Sequence, residues 1–96
     1  MPSATRRGDN CTGHDVCPSV PLVESSSDVN INGLGAGRVG DHYAPHGCVA
    51  HPGHQDVIVA GSSTVFINGR PAARVGDAVS IGGSVQGGSG DVFIGG

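Results

Sequence analysis

GSSTVFINGRPAARVGD, residues 61–77, decides the fold, because most of the chain is either a copy of this unit or a loop joining copies. Thr64 to Ile67 is β-branched and aromatic, the composition of a half-buried strand. Asn68-Gly69 is a dipeptide that accepts two successive positive φ angles, as a type I′ hairpin turn requires. Pro71 to Val75 leads back, and Gly76-Asp77 ends the second strand.

Shifted by 36, Ser27 to Asp41 (SDVNINGLGAGRVGD) lies over Ser63 to Asp77 with ten of fifteen residues identical, including the Asn-Gly turn and the Arg-Val-Gly-Asp end. Arg6-Arg7-Gly8-Asp9 matches the closing half of the unit, and Gly88 to Ile94 (GSGDVFI) matches its opening half. The repeat is read before local propensity. It predicts one domain over residues 1–96 with units near 27–41 and 63–77 and a third copy split between 6–9 and 88–96.

Three loops each leave from a Gly-Asp and re-enter at a strand, so loops gather at one pole and Asn-Gly turns at the other. Residues 10–28 form a polar, proline-bearing loop. Residues 42–60 carry four of the five histidines and then a strand, Asp56 to Ala60, and residues 78–90 contain neither His nor Cys. Three such units around one axis predict an all-β, conical, pseudo-threefold body of short hairpins.

Composition narrows the function. Ninety-six residues with three aromatics and no Trp have little to fill a core, so a metal, disulfides, tight pairing or a partner must help. A net charge of −3 with five Lys plus Arg offers no basic surface for nucleic acid. There is no run of eighteen apolar residues, and MPSATRRGDN lacks the apolar segment of a secretory signal, so synthesis as a soluble cytoplasmic chain is expected. Three cysteines cannot all pair within the chain, and cytoplasmic synthesis favours thiols as metal ligands over a disulfide framework.

The repeat register supplies a candidate metal site. His14 stands five residues after Asp9, and His46 five after Asp41, so both should face the axis at the loop pole. The equivalent third position is Gly82, but the second loop offers Cys48, His51 and His54 to complete a fourfold site. Imidazole and thiolate at four corners suit zinc, with iron as the lesser candidate. His42 lies off this register and reads as a surface histidine. Arg7-Gly8-Asp9 reads as the end of a repeated strand, not an adhesion tripeptide, and Ser25 to Ser27 and Ser62-Ser63 read as turn serines without a nucleophile elbow.

NGRPAARVGD at 68–77, with the degenerate copy NGLGAGRVGD at 32–41, resembles the motif of the PAAR-repeat proteins, and the match covers almost the whole chain. The resemblance implies a conical β tip with zinc near its apex. Such a tip caps and sharpens the trimeric β-helical spike (VgrG-like, or a phage tail spike) of type VI secretion systems and contractile phage tails for membrane puncturing. One tip serves each spike trimer and meets the target membrane transiently. The family's ligand positions fall on His14, His46 and His54. Relatives often supply a fourth ligand as Cys in a Val-Ser-Cys-Gly-Gly segment, where this chain has Val79-Ser80-Ile81-Gly82-Gly83. Ile81 cannot ligate, which makes Cys48 the first replacement and His51 or water the next.

The resemblance implies a structural protein rather than an enzyme, a bare tip without a toxin domain, at a virion tail tip or in a secreted apparatus. The alternative is a small zinc-dependent hydrolase with an open coordination position; Asp15 and Asp56 read as loop carboxylates without specific support for a general base. At the turn pole, Asn32, Gly33, Leu34, Asn68, Gly69 and Arg70 are the expected spike-binding residues, since Gly-rich turns leave a flat surface and Leu34 adds an apolar contact.

Overall fold

The computed structural model describes residues 1–13, 17–47 and 53–96; His14, Cys48 and His51 lie outside them. Two antiparallel hairpins form where the Asn-Gly dipeptides predict them. β1 (Asn30–Ile31) pairs with β2 (Leu34–Gly35), and β3 (Phe66–Ile67) pairs with β4 (Arg70–Pro71). Asn32 and Gly33 have φ of 55° and 79°, Asn68 and Gly69 of 55° and 77°, as expected of type I′ turns. The only helical piece among the described residues is a 3₁₀ turn, Ser80–Gly82.

The ladders are shorter than the sequence predicts. Thr64 to Ile67 yields only the two residues of β3, and Asp56 to Ala60 only bridges at Val57 and Ile58. The reason is that each segment changes partner within a residue or two as it passes around the body. Ala36 bridges Arg6, Ala72 bridges Arg38, and Ala4 bridges Arg74. Just beyond, Thr5 N–H donates to Ala73 O (3.2 Å), Ala73 N–H to Gly37 O (3.0 Å), and Gly37 N–H to Thr5 O (3.0 Å). The cycle closes on itself, so these backbone groups are paired without long strands. A Cβ on Gly37 would sit 2.7 Å from Thr5 Cγ2, which is why this ring takes small residues.

The repeated Arg-x-Gly-Asp ends have a structural task. Arg38 N–H and Nε both donate to Asp41 Oδ2 (2.8 and 3.0 Å) while Nη2 donates to Oδ1 (2.9 Å). Arg6 with Asp9 and Arg74 with Asp77 repeat this fork. The intervening Gly8, Gly40 and Gly76 have φ of 92°, 93° and 93°, a conformation that disfavours side chains. Each guanidinium then reaches out through Nη1: Arg6 to Asn32 Oδ1, Arg38 to Asn68 Oδ1, Arg74 to Gly95 O. The fork also settles Arg7-Gly8-Asp9, whose carboxylate already holds Arg6 with both oxygens.

Apolar side chains stack in matching sets along the interior. Ala4, Ala36 and Ala72 pack with Ile31, Ile67 and Ile94 in one cluster. Leu22, Ile58 and Val85 pack with Cys11, Tyr43 and Val79 in a second. Backbone bonds to the glycines fix the equivalence: Gly8, Gly40 and Gly76 donate to Leu22, Ile58 and Val85. Burying each such aliphatic side chain contributes roughly 1.5–3 kcal/mol, which offsets the scarcity of aromatics.

Tyr43 is the one large ring in this interior. It is fully buried, and among the described residues its hydroxyl has no hydrogen-bond partner. Burial pushes the phenol well above its ordinary range. Tyr43→Phe should therefore leave stability unchanged or raise it by about 1 kcal/mol, because a desolvated donor is removed without breaking a bond. The denaturation midpoint reads this, and a clear loss of stability would show the hydroxyl to be engaged.

Candidate metal centre

The second loop doubles back on itself. His42 bridges Val57, and His46 bridges His54 with both main-chain bonds made, His46 N–H to His54 O (2.9 Å) and His54 N–H to His46 O (2.8 Å). Opposed residues of an antiparallel pair project to one face, so the two imidazoles meet. Their ring centroids are 4.5 Å apart and their Nε2 atoms 3.0 Å apart.

Asp56 joins them. Its side chain is 1% exposed, with Oδ2 3.1 Å from His46 Nε2 and Oδ1 3.2 Å from His54 Nε2. His46 Nδ1 lies 2.8 Å from Pro18 O, a carbonyl that can only accept, so the ring proton sits on Nδ1 and leaves the Nε2 lone pair facing the group. Two imidazole nitrogens and a carboxylate converging in a buried place repel one another unless a cation or proton lies between them. His46, His54 and Asp56 thus form a group that could hold a metal ion. An outer carbonyl that orients a ligating imidazole is a common second layer of such sites.

Of the sequence-derived ligands, the structure brings His46 and His54 together; His14 and Cys48 fall outside the described residues, as does His51. Asp56 was dismissed in the sequence reading as a loop carboxylate without support. In the structure Asp56 and Ile58 are buried between exposed Gln55 and Val59. His54-x-Asp56 is the strand spacing that places both side chains on one face. His42 keeps its surface reading, with Nδ1 against Glu24 Oε1, a contact that draws the Glu24 carboxyl below its usual range.

Cysteine usage differs from expectation. Cys17 is buried and takes part in a disulfide, while Cys11 is a buried free thiol whose ionisation burial opposes.

The predicted docking residues are exposed at both turns, except that Arg70 is half-buried. Asn32 and Asn68 use their side chains sideways: each accepts from an Arg of a neighbouring segment and donates to an Asp, Asn32 to Asp91 (2.9 Å) and Asn68 to Asp28 (2.8 Å). These bonds hold the Asp28 and Asp91 carboxyls below their ordinary range. Arg70 reaches Asp41 at 3.1 Å. Leu34 remains outward, joined by Phe66 and Phe93 at equivalent strand positions opposite Pro71 and Ser3, a pair of aromatics the sequence reading did not single out.

Cyclically paired short hairpins, Arg-Asp forks at each unit's end and an imidazole-carboxylate group in the loops define a small, nearly helix-free β protein with a candidate metal centre. A family model for the PAAR motif matches residues 21–87, and the chain belongs to that family. A search of curated proteins returns no significant match. No helix among the described residues is long and apolar enough to cross a membrane.

Proposed function

We propose that the whole chain is one PAAR domain acting as the metal-stapled tip of a contractile injection machine, seated on the end of a trimeric β-helical spike. Membership of the PAAR family carries the reading: it supports a spike-tip role and association with a spike partner in a secreted or injected apparatus. The family is structural, which fits a role without catalysis. The ion would tie together loops that have little apolar content of their own.

Zinc is the proposed metal, with iron second, and His14, His46 and His54 are the proposed imidazole ligands. For the remaining position the sequence offers Cys48, a thiolate that pairing with Cys17 would take away. Asp56 is the stronger candidate, since its buried carboxylate lies within 3.2 Å of both described imidazoles. A carboxylate in place of thiolate makes the donor set harder and more tolerant of iron. Elemental analysis after purification without added metal tests the ion, and a folded protein devoid of metal would refute it.

The turn end is the proposed docking face. Gly33 and Gly69 leave a flat surface at the turns, and exposed Leu34, Phe66 and Phe93 supply apolar contact. A body with cyclic internal pairing suits the threefold end of a spike trimer. Leu34→Asp should weaken spike binding by about 2 kcal/mol or more by placing a charge in the contact, with metal content unchanged. A charge at Gln86 in the third loop should do little. Co-purification with the native assembly measures both, and a silent Leu34 change together with a disruptive Gln86 change would reverse the orientation.

A further inference from the structure

The third loop, residues 78–90, supplies no imidazole, thiol or carboxylate. It nevertheless reaches the candidate centre through one side chain. Ser80 N–H donates to Val57 O (2.9 Å), and Val57 N–H donates to Ser80 Oγ (3.0 Å), a reciprocal clamp on the residue that follows Asp56. Ser80 Oγ also lies 3.4 Å from Asp56 Oδ1, the oxygen that faces His54. That contact is long for a hydroxyl bond; Oγ accepts from Val57 N–H with one of its two lone pairs, and its single proton can be donated to the carboxylate.

The turn carrying Ser80 is held against local preference. Ile81 has φ 60° and ψ 36°, a region β-branched residues rarely adopt, and it is half exposed, so no burial rewards it there. What holds the turn is its surroundings: Val79 N–H donates to Gly83 O (2.9 Å), Ile58 bridges Val79, and Ala78 bridges Ser84. A strained turn that persists because its neighbours over-determine it is a reason to ask what the turn places. What it places is Ser80 against Asp56.

We propose that Ser80 is the positioning residue of the metal centre: it fixes the Asp56 carboxylate toward His46 and His54, tying the third loop to the ion without a ligand of its own. This rests on the metal-binding reading above. Without the hydroxyl, Asp56 loses its tie to the third loop and Val57 N–H loses its partner, so the carboxylate is held less firmly toward the imidazoles.

The test uses cobalt(II) as the probe ion in the full chain, with Ser80→Ala, Ser80→Thr, Asp56→Asn and the unsubstituted protein compared. Three quantities are read: release of cobalt to a chelator, the ligand-field absorption spectrum, and the melting temperature of the metal-free form. Ser80→Ala should still bind cobalt but release it roughly 10- to 100-fold faster and with an altered spectrum. Ser80→Thr should restore both, and Asp56→Asn should release faster still. A purely structural serine would lower the metal-free melting temperature while leaving release and spectrum as they are, and that outcome overturns the proposal. If the unsubstituted protein binds no cobalt, the metal reading itself fails. If it binds and Asp56→Asn changes nothing, the ion survives and the Ser80–Asp56 assignment falls.

Discussion

Asp41→Ala is expected to cost about 3–5 kcal/mol, a large part of the 5–15 kcal/mol typical of a small domain. Asp41 is 1% exposed and accepts three bonds from Arg38, one of them from its main-chain N–H, and a fourth from Arg70 Nη2 at 3.1 Å. Removing the carboxylate leaves the Arg38 guanidinium, which stays charged, without its counter-charge at 11% side-chain exposure. It also frees the Nη1 link to Asn68, so one seam between units loosens with the fork. Asp9→Ala should cost less, because Asp9 is 15% exposed and its side chain serves a single guanidinium. Chemical denaturation of the two variants under identical metal loading measures the difference, and equal small losses would show that the forks do not hold the units together.

The contrast between what was legible in the sequence and what was not follows from the range of the forces involved. Asn-Gly turns and Arg-x-Gly-Asp ends are local: their φ angles and forks are set within four residues, so the repeat and both hairpins were readable. Strand length was not. It depends on when a segment exchanges one partner for another, and bridges such as Ala72 with Arg38 join residues 34 positions apart. The ring of bonds at Thr5, Gly37 and Ala73 was not legible either.

The site divides the same way. The sequence singles out His46 because it repeats the offset of His14, and His54 through the family resemblance. Asp56 has no counterpart in the repeat, and its direction is fixed by the His46–His54 bridge and the two-residue period that follows. Its one trace in the sequence is the two-residue spacing from His54. Ser80 was out of reach, since its bond to Val57 crosses 23 residues and no motif marks it. The Asn side chains of the turns are exposed, and they also close the seams through long-range partners Arg6, Arg38, Asp91 and Asp28.

Chelation should loosen the loops long before the hairpins. With the ion bound, His46, His54 and Asp56 are fixed to one point, and through the Pro18 carbonyl and Ser80 that point is connected to the first and third loops. With the ion removed, the lone pairs of these ligand atoms would face one another at 3.0–3.2 Å, and among the described residues two main-chain bonds join His46 to His54. The hairpins have no such dependence. β1 to β4 sit over the Ala4, Ala36, Ala72 and Ile31, Ile67, Ile94 cluster, and their seams are closed by the Arg-Asn-Asp contacts. Metal-ligand energy is folding energy only for the segments it ties down, so opening should be sub-global. Amide exchange at His46, His54 and Val57 is expected to accelerate by orders of magnitude on chelation, while Ala36, Ala72 and Ala73 change little. His46→Ala in metal-replete buffer should reproduce the chelated pattern, because it removes both a ligand and the contact to Pro18. Acceleration spread evenly over the loop and hairpin amides would mean that the ion supports the whole fold, and the division between a stapled loop end and a self-sufficient hairpin end would have to be abandoned.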